Sequence, residues 1–307
     1  QPATATEIAF YATDIKSTPA GVEAIIHCNA IEEKPDTPPF KLMLRTPGIF
    51  NIENALCAIG AACAANISIP SALKALTTFP GIPGRMELID EGLPFSVYID
   101  FTVTPFSYRS TLSSLKPMLA EGKKLLVLTG SCGDRMQEKR PEVGKIVSEY
   151  ADICVVTNED PYTEDPEKII NEVWAGIDQT KTKASKITDR TEAIKFIVSQ
   201  AQAGDIVVIC GKGSDTTMWV KTGQVPWNER DIVRGILQEI KKTLPPAPIT
   251  TSPVAKDKEE LSSRNQLDGL RIGAEIARNK VQMQQQHHQF QQQAAQKLKE
   301  EPNKKGE

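Results

Sequence analysis

At 307 residues, with 40% hydrophobic and 24% charged side chains, the chain has ordinary globular usage and room for roughly two domains, which excludes collagen, mucin and coiled-coil rods. A formal net charge of −3, from 36 Lys and Arg against 39 Asp and Glu, exerts no global pull on nucleic acid or an anionic membrane. The longest apolar runs, such as Leu125 to Leu128 and Ile206 to Cys210, fall far short of the roughly 20 residues that a membrane helix requires. Neither a nucleic-acid nor a membrane partner is expected. The start, Gln1-Pro2-Ala3-Thr4, lacks a charged segment followed by an apolar one, so no signal peptide is expected, and without a Met it reads as a truncated or processed start. Six cysteines occur singly, which predicts reduced thiols and a cytoplasmic location. The histidines are His27, His287 and His288, with no zinc spacing to any cysteine, so no metal site is expected on this chain.

From Ile8 to Arg45 apolar and polar residues alternate between Gly and Pro breaks, as in Val22-Glu23-Ala24-Ile25-Ile26-His27, which predicts antiparallel strands. Asn54 to Ala65 and Ser71 to Thr77 then read as two packed helices. After Gly81-Ile82-Pro83-Gly84 the texture changes. Short apolar strands at Phe95 to Phe101, Lys124 to Thr129, Ile153 to Thr157 and Asp205 to Cys210 alternate with helices near Tyr108 to Ala120, Pro141 to Tyr150, Pro166 to Trp174 and Thr191 to Ala201. This alternation predicts an α/β fold with a mostly parallel, Rossmann-like sheet covered on both faces, and ligands beyond the carboxyl ends of its strands. The expected domains are 1–84, 85–244 and 245–307, the last a Pro-rich linker and tail. In the tail, Leu267, Leu270, Ala274, Ala277 and Val281 form a short heptad seam before a Gln-rich run, which predicts a marginal helix fraying into disorder, with weak self-association or partner binding as its possible use.

The polar clusters fall in the predicted strand-end loops. Asn51 and Asn54 lie one helical turn apart, where their amides suit a nucleotide base or ribose, though Asn51 can equally be a helix cap. Arg85 offers a planar fork for phosphate oxygens, or a surface pair with Glu87, and Asp100 either projects into the crevice or caps the next helix. The loop from Gly130 carries Asp134, Arg135, Lys139 and Arg140 before a Pro-containing helix start and is suited to gripping anions, with Lys139 read as a solvated charge. Lys212, between two glycines and with no companion base nearby in sequence, reads as loop geometry rather than catalysis. A dehydrogenase is disfavoured because no GxGxxG follows a strand with an acidic residue further on. No Gly-rich Lys-Thr/Ser phosphate loop occurs anywhere in the sequence.

Seven segments in order, Phe50-Asn51-Ile52-Glu53-Asn54-Ala55, Gly81 to Glu87, Ile99-Asp100-Phe101-Thr102-Val103-Thr104-Pro105, Gly130 to Arg135, Lys139-Arg140-Pro141, Glu159 to Pro166 and Gly211-Lys212-Gly213-Ser214-Asp215, together resemble the Mur ligase family, and within it the branch that adds the third stem-peptide residue of peptidoglycan. The resemblance covers about Ile8 to Ile240. It implies the end of a central ATPase domain followed by the carboxyl-terminal domain, with ATP contacts at Asn51, Asn54, Arg85 and Asp100. It further implies that Arg135 binds the α-carboxylate of the incoming amino acid, with Asp160, Tyr162, Gly211 and Asp215 completing the pocket.

The implied substrates are ATP with magnesium, UDP-N-acetylmuramyl dipeptide and an amino acid, joined through an acyl phosphate that the amine then attacks. The phosphate loop, magnesium ligands and modified lysine of the family are expected earlier than this chain, so no catalytic residue is assigned here and the chain alone is expected to be inactive. Tyr162 stands where members that add meso-diaminopimelate carry Arg, and Glu159, Asp160 and Asp215 are acidic, which favours lysine or another diamino acid. Val103 and Ser214 also depart from the family, each replacing a His. The rival expectation is a catalytically silent module that binds a nucleotide, a muropeptide or a protein.

Overall fold

A computed structural model describes residues 9–28 and 40–243, and the expectations for the linker and tail lie outside them. Strands β1 (Phe10–Thr18), β2 (Gly21–Cys28) and β3 (Phe40–Leu44) form an antiparallel sheet in that order. Its alternation buries Val22, Ala24, Ile26, Leu42 and Leu44 on one face. Helices α1 (Phe50–Ala64) and α2 (Ile69–Thr78) cover that face, with Ile52, Ala55 and Ile59 of α1 recurring at helical spacing in the same cluster.

Both helices begin earlier than expected. In α1 the preceding residue Ile49 makes no side-chain cap, so the reading of Asn51 as a cap is corrected: Asn51 lies inside the first turn and its Nδ2 donates to the Pro47 carbonyl at 2.7 Å. In α2 the cap is Ser68, which accepts from Ser71 N, with Pro70 in the first turn, where its missing N–H costs nothing.

The second sheet has the order β4-β5-β9-β6-β7-β8, from β4 (Glu87–Leu88), β5 (Ser96–Asp100), β6 (Leu125–Thr129), β7 (Ile153–Val156), β8 (Lys183–Lys186) and β9 (Ile206–Cys210). All pairings are parallel except that of β4 with β5. Side chains alternate between two cores: Leu125, Val127, Tyr98 and Val208 face helices α3 (Pro105–Leu115), α4 (Lys139–Tyr150) and α5 (Pro166–Trp174). Leu126, Leu128, Val97 and Val207 face α6 (Arg190–Ser199) and α7 (Glu229–Thr243). The sequence reading left out β4, β8, α7 and the hairpin of β10 (Thr217–Val220) and β11 (Gly223–Pro226).

Two contacts join the layers. Tyr98, fully buried in β5, donates its hydroxyl to the Pro19 carbonyl at 2.7 Å, in the turn between β1 and β2. Gly84 lies at φ +69°, and a Cβ there would come within 2.2 Å of the Gly213 carbonyl carbon, so only glycine lets the loop after β9 lie against the segment leading into β4.

Candidate functional site

A cleft of about 720 Å³ opens between α1 and α2 on one side and the segment from Arg85 to α3 on the other. It is lined by Asn51, Asn54, Arg85 and Asp100 together, so all four residues expected at ATP face one space although they come from three separate segments of the chain. Phe50, Phe79, Phe101 and Phe106 supply apolar wall, and Ser107, Ser110 and Thr111 hydroxyls.

The four residues differ in what they have left to offer. Asn51 is committed, its Nδ2 to Pro47 O and its Oδ1 to an N–H of Asn54 at 3.3 Å, which leaves the Asn54 carbonyl and its second N–H open to the cleft. Arg85 lies over the Phe101 ring with its guanidinium carbon 4.5 Å from the centroid, and no carboxylate pairs with it among the described residues. The alternative Arg85–Glu87 pair is not formed, because Glu87 binds Arg230 at 2.8 Å and accepts from Gly84 N at 2.7 Å. Asp100 is largely spent inside the fold: it accepts from Met86 N at 2.8 Å, Thr111 Oγ1 at 3.1 Å and Thr102 Oγ1. It does not cap α3, whose cap is Thr104 in a reciprocal arrangement with Ser107. An unpaired guanidinium, an open amide and aromatic walls fit a nucleotide. Among the described residues no group of three or more His, Cys, Asp and Glu side chains converges to hold a metal ion.

The amino-acid candidates gather at the other strand-end loops. Exposed Arg135 stands 5.3 Å over the Tyr162 ring and donates to its hydroxyl at 3.3 Å, and Tyr162 stacks on Trp219 of β10 at 5.3 Å. Trp219 was not read from the sequence, since nothing local ties a lone Trp to residues 57 positions earlier. Lys212 is held in its loop by two carboxylates. Buried to 1% exposure, its ammonium donates to both oxygens of Asp160 at 2.8 Å and to Asp215 at 3.0 Å, and Asp160 also accepts from Trp219 N. The expectation of no companion nearby in sequence is corrected by Asp215, three residues on, and the fold adds Asp160 from 52 residues away. Consequently Asp160 does not stand free to meet a substrate cation.

Two further readings are corrected. Arg140 is wholly buried and clamps Glu164 at 2.7 Å, Glu172 and the Cys132 carbonyl at 3.1 Å, so it builds the loop rather than gripping an anion; the Arg140 guanidinium in turn holds the Glu164 carboxyl down near 2. Lys139 is anchored on the Val103 carbonyl at 3.0 Å instead of solvated.

Against Gly130 and Gly211 sits Glu159, 4% exposed, with Oε2 unpaired and its carboxyl pushed up to about 7 by burial. A Cβ on Gly211, which lies at φ +112°, would come within 2.6 Å of that Oε2. Gly211 is therefore a spacing requirement of the pocket wall, because any side chain would collide with the buried acid.

Comparison with known proteins gives the family. The Mur ligase glutamate ligase domain matches residues 84–213. The chain is 36% identical over 231 residues, 75% of its length and 46% of the relative's, to the UDP-N-acetylmuramoyl-L-alanyl-D-glutamate–2,6-diaminopimelate ligase of Caldanaerobacter subterraneus subsp. tengcongensis. It is 38% identical over 201 residues, 64% of its length and 39% of the relative's, to the UDP-N-acetylmuramyl-tripeptide synthetase of Roseiflexus sp.. A solved diaminopimelate ligase superposes with a TM-score of 0.55 at 30% identity, over 76% of this chain and 46% of that one. The MurF ligase of Thermotoga maritima, solved with ADP, superposes with a TM-score of 0.51 at 14% identity over 76% of this chain and 47% of that one, and shows the fold alone. The chain spans about half the length of the curated relatives it matches. By profile, identity and fold, residues 84–213 form the glutamate ligase domain of a Mur ligase, and the chain belongs to the Mur ligase family through it.

Proposed function

We propose that the chain is the carboxyl-terminal half of an ATP-dependent amide ligase of peptidoglycan synthesis, acting in the cytoplasm on UDP-N-acetylmuramyl dipeptide and a third amino acid. In this reading residues 1–84 end the ATPase domain and 85–244 form the amino-acid-binding domain. The cleft that unites Asn51, Asn54, Arg85 and Asp100 carries the proposal, since it sits where those two parts meet. ATP supplies the phosphoryl group that activates the carboxylate. What these residues do is bind it: Arg85 meets phosphate oxygens, Asn54 meets the base or ribose, and Asp100 holds the Met86 and Thr111 segments in register. The sequence holds no phosphate loop, so we assign phosphate and magnesium chemistry to a segment this chain does not supply, and the chain alone does not turn over. Equilibrium titration with ATP should show Arg85→Ala binding at least about tenfold more weakly than the parent, the worth of one charged hydrogen-bonding group; equal binding would remove the cleft assignment.

For the amino acid, Arg135 takes the α-carboxylate and Asp215 the far end of the side chain. The Lys212, Asp160 and Asp215 group sums to one net negative charge, and Asp215 is its accessible member with a side chain 40% exposed. That charge suits a terminal ammonium, while Tyr162 offers no cation for a bidentate pair with a distal carboxylate. The ligase carrying this half should therefore use lysine at least several-fold better than meso-diaminopimelate. Tyr162→Arg should narrow the difference, and Asp215→Asn should raise the KM for lysine. Equal or better use of meso-diaminopimelate by the parent would overturn the assignment.

A further inference from the structure

Phe106 has the highest exposure, 83%, among the large apolar side chains of the described residues, yet it lines the cleft with Asn54 and Arg85. Its exposure does not come from a frayed end. It is the second residue of α3, behind Pro105, and the turn is fixed by Ser107 N donating to Thr104 Oγ1 at 3.1 Å and Thr104 N donating to Ser107 Oγ at 3.0 Å. A rigidly presented aromatic face left in water beside a concave site is a binding element rather than core.

The groups around it specify what the face would meet. The open carbonyl and N–H of Asn54 match the donor and acceptor edge of a purine, while Arg85, held flat by Phe101, is placed for an anion on the same molecule. Planar ring, polar edge and anionic tail in one ligand describe a nucleotide, and an open aromatic face favours the larger purine ring. We propose that Phe106 is the stacking platform for the base of the nucleotide and the residue that sets purine preference in this cleft. The inference rests on the reading of the cleft as the ATP site. Stacking on an aromatic ring is selective for ring area and indifferent to phosphate, so the loss of Phe106 and the loss of Arg85 have different signatures.

The experiment is calorimetric titration of the full 307-residue chain, and of Phe106→Ala, Phe106→Trp and Arg85→Ala, with ATP, CTP and inorganic tripolyphosphate. Phe106→Ala should weaken ATP roughly tenfold, leave tripolyphosphate unchanged and shrink the preference for ATP over CTP. Phe106→Trp should keep ATP affinity, and Arg85→Ala should weaken ATP and tripolyphosphate together. Unchanged ATP affinity in Phe106→Ala, with Arg85→Ala weakened, would overturn the stacking role alone. A parent chain that binds no ATP would remove the nucleotide reading and this inference with it.

Discussion

Replacing Arg190 with methionine is expected to destabilise the described fold by about 3–5 kcal/mol, because it leaves a buried carboxylate without its cation. The Arg190 side chain is 1% exposed and that of Glu229 is fully buried, and they meet through Nε to Oε2 at 2.6 Å and Nη2 to Oε1 at 2.8 Å. The same guanidinium donates to the Cys210 carbonyl at 2.8 Å and to the Asn158 carbonyl at 3.2 Å, so one side chain at the start of α6 ties down the ends of β9 and β7 and the start of α7. Burial leaves little water to take over any of these bonds. Combining Arg190→Met with Glu229→Leu should recover a large part of the loss, since the orphaned charge goes as well. Urea unfolding of the three variants measures it; a loss below about 1 kcal/mol in the single variant would mean that the pair is not closed to solvent.

The second large effect is a pH dependence centred on Glu159. Its carboxyl is held near 7 in the fold against an ordinary value of 4.5, chiefly by desolvation, with Asp160 adding to the rise and Arg190, Lys139 and Lys212 opposing it; Tyr108, Cys132 and Cys210 also face it. The folded state therefore keeps a proton that the unfolded chain has released between those values. Stability is greatest at and below pH 4.5 as far as this group is concerned, falls as pH rises from there to about 7, and is level above it, by about 3 kcal/mol in total. Glu159→Gln, which fixes the neutral form, should flatten that fall and be the more stable protein at pH 8. Parallel stability profiles of parent and Glu159→Gln from pH 5 to pH 8 would show that the acid is ionised in the fold.

The fold was legible where burial writes continuous apolar runs. Strands β6 and β9 are buried on both faces and read directly from Leu125-Leu126-Val127-Leu128 and Ile206-Val207-Val208-Ile209. Strand β8 is Lys183-Ala184-Ser185-Lys186, a polar edge strand whose pairing with β7 comes from tertiary context and not from its own residues. At the site, Asn51, Asn54, Arg85 and Asp100 were legible as a set because each stands in a recognisable segment. The partners of charged side chains were not: Lys212 finds Asp160 from 52 residues away, and Arg140 turns inward to Glu164 although Arg135 of the same loop stays exposed over the Tyr162 ring. Local sequence records that a charge is present, and only the folded chain decides whether water or a carboxylate receives it.

A crystal structure of the chain with a non-hydrolysable ATP analogue decides whether the cleft between the small sheet layer and the parallel sheet receives the nucleotide. The base is expected between α1 and α3, within hydrogen-bond reach of Asn54 and against Phe106, with Arg85 turned to a phosphate oxygen. A nucleotide bound instead at the Arg135 and Tyr162 loops, with the cleft empty, would contradict it.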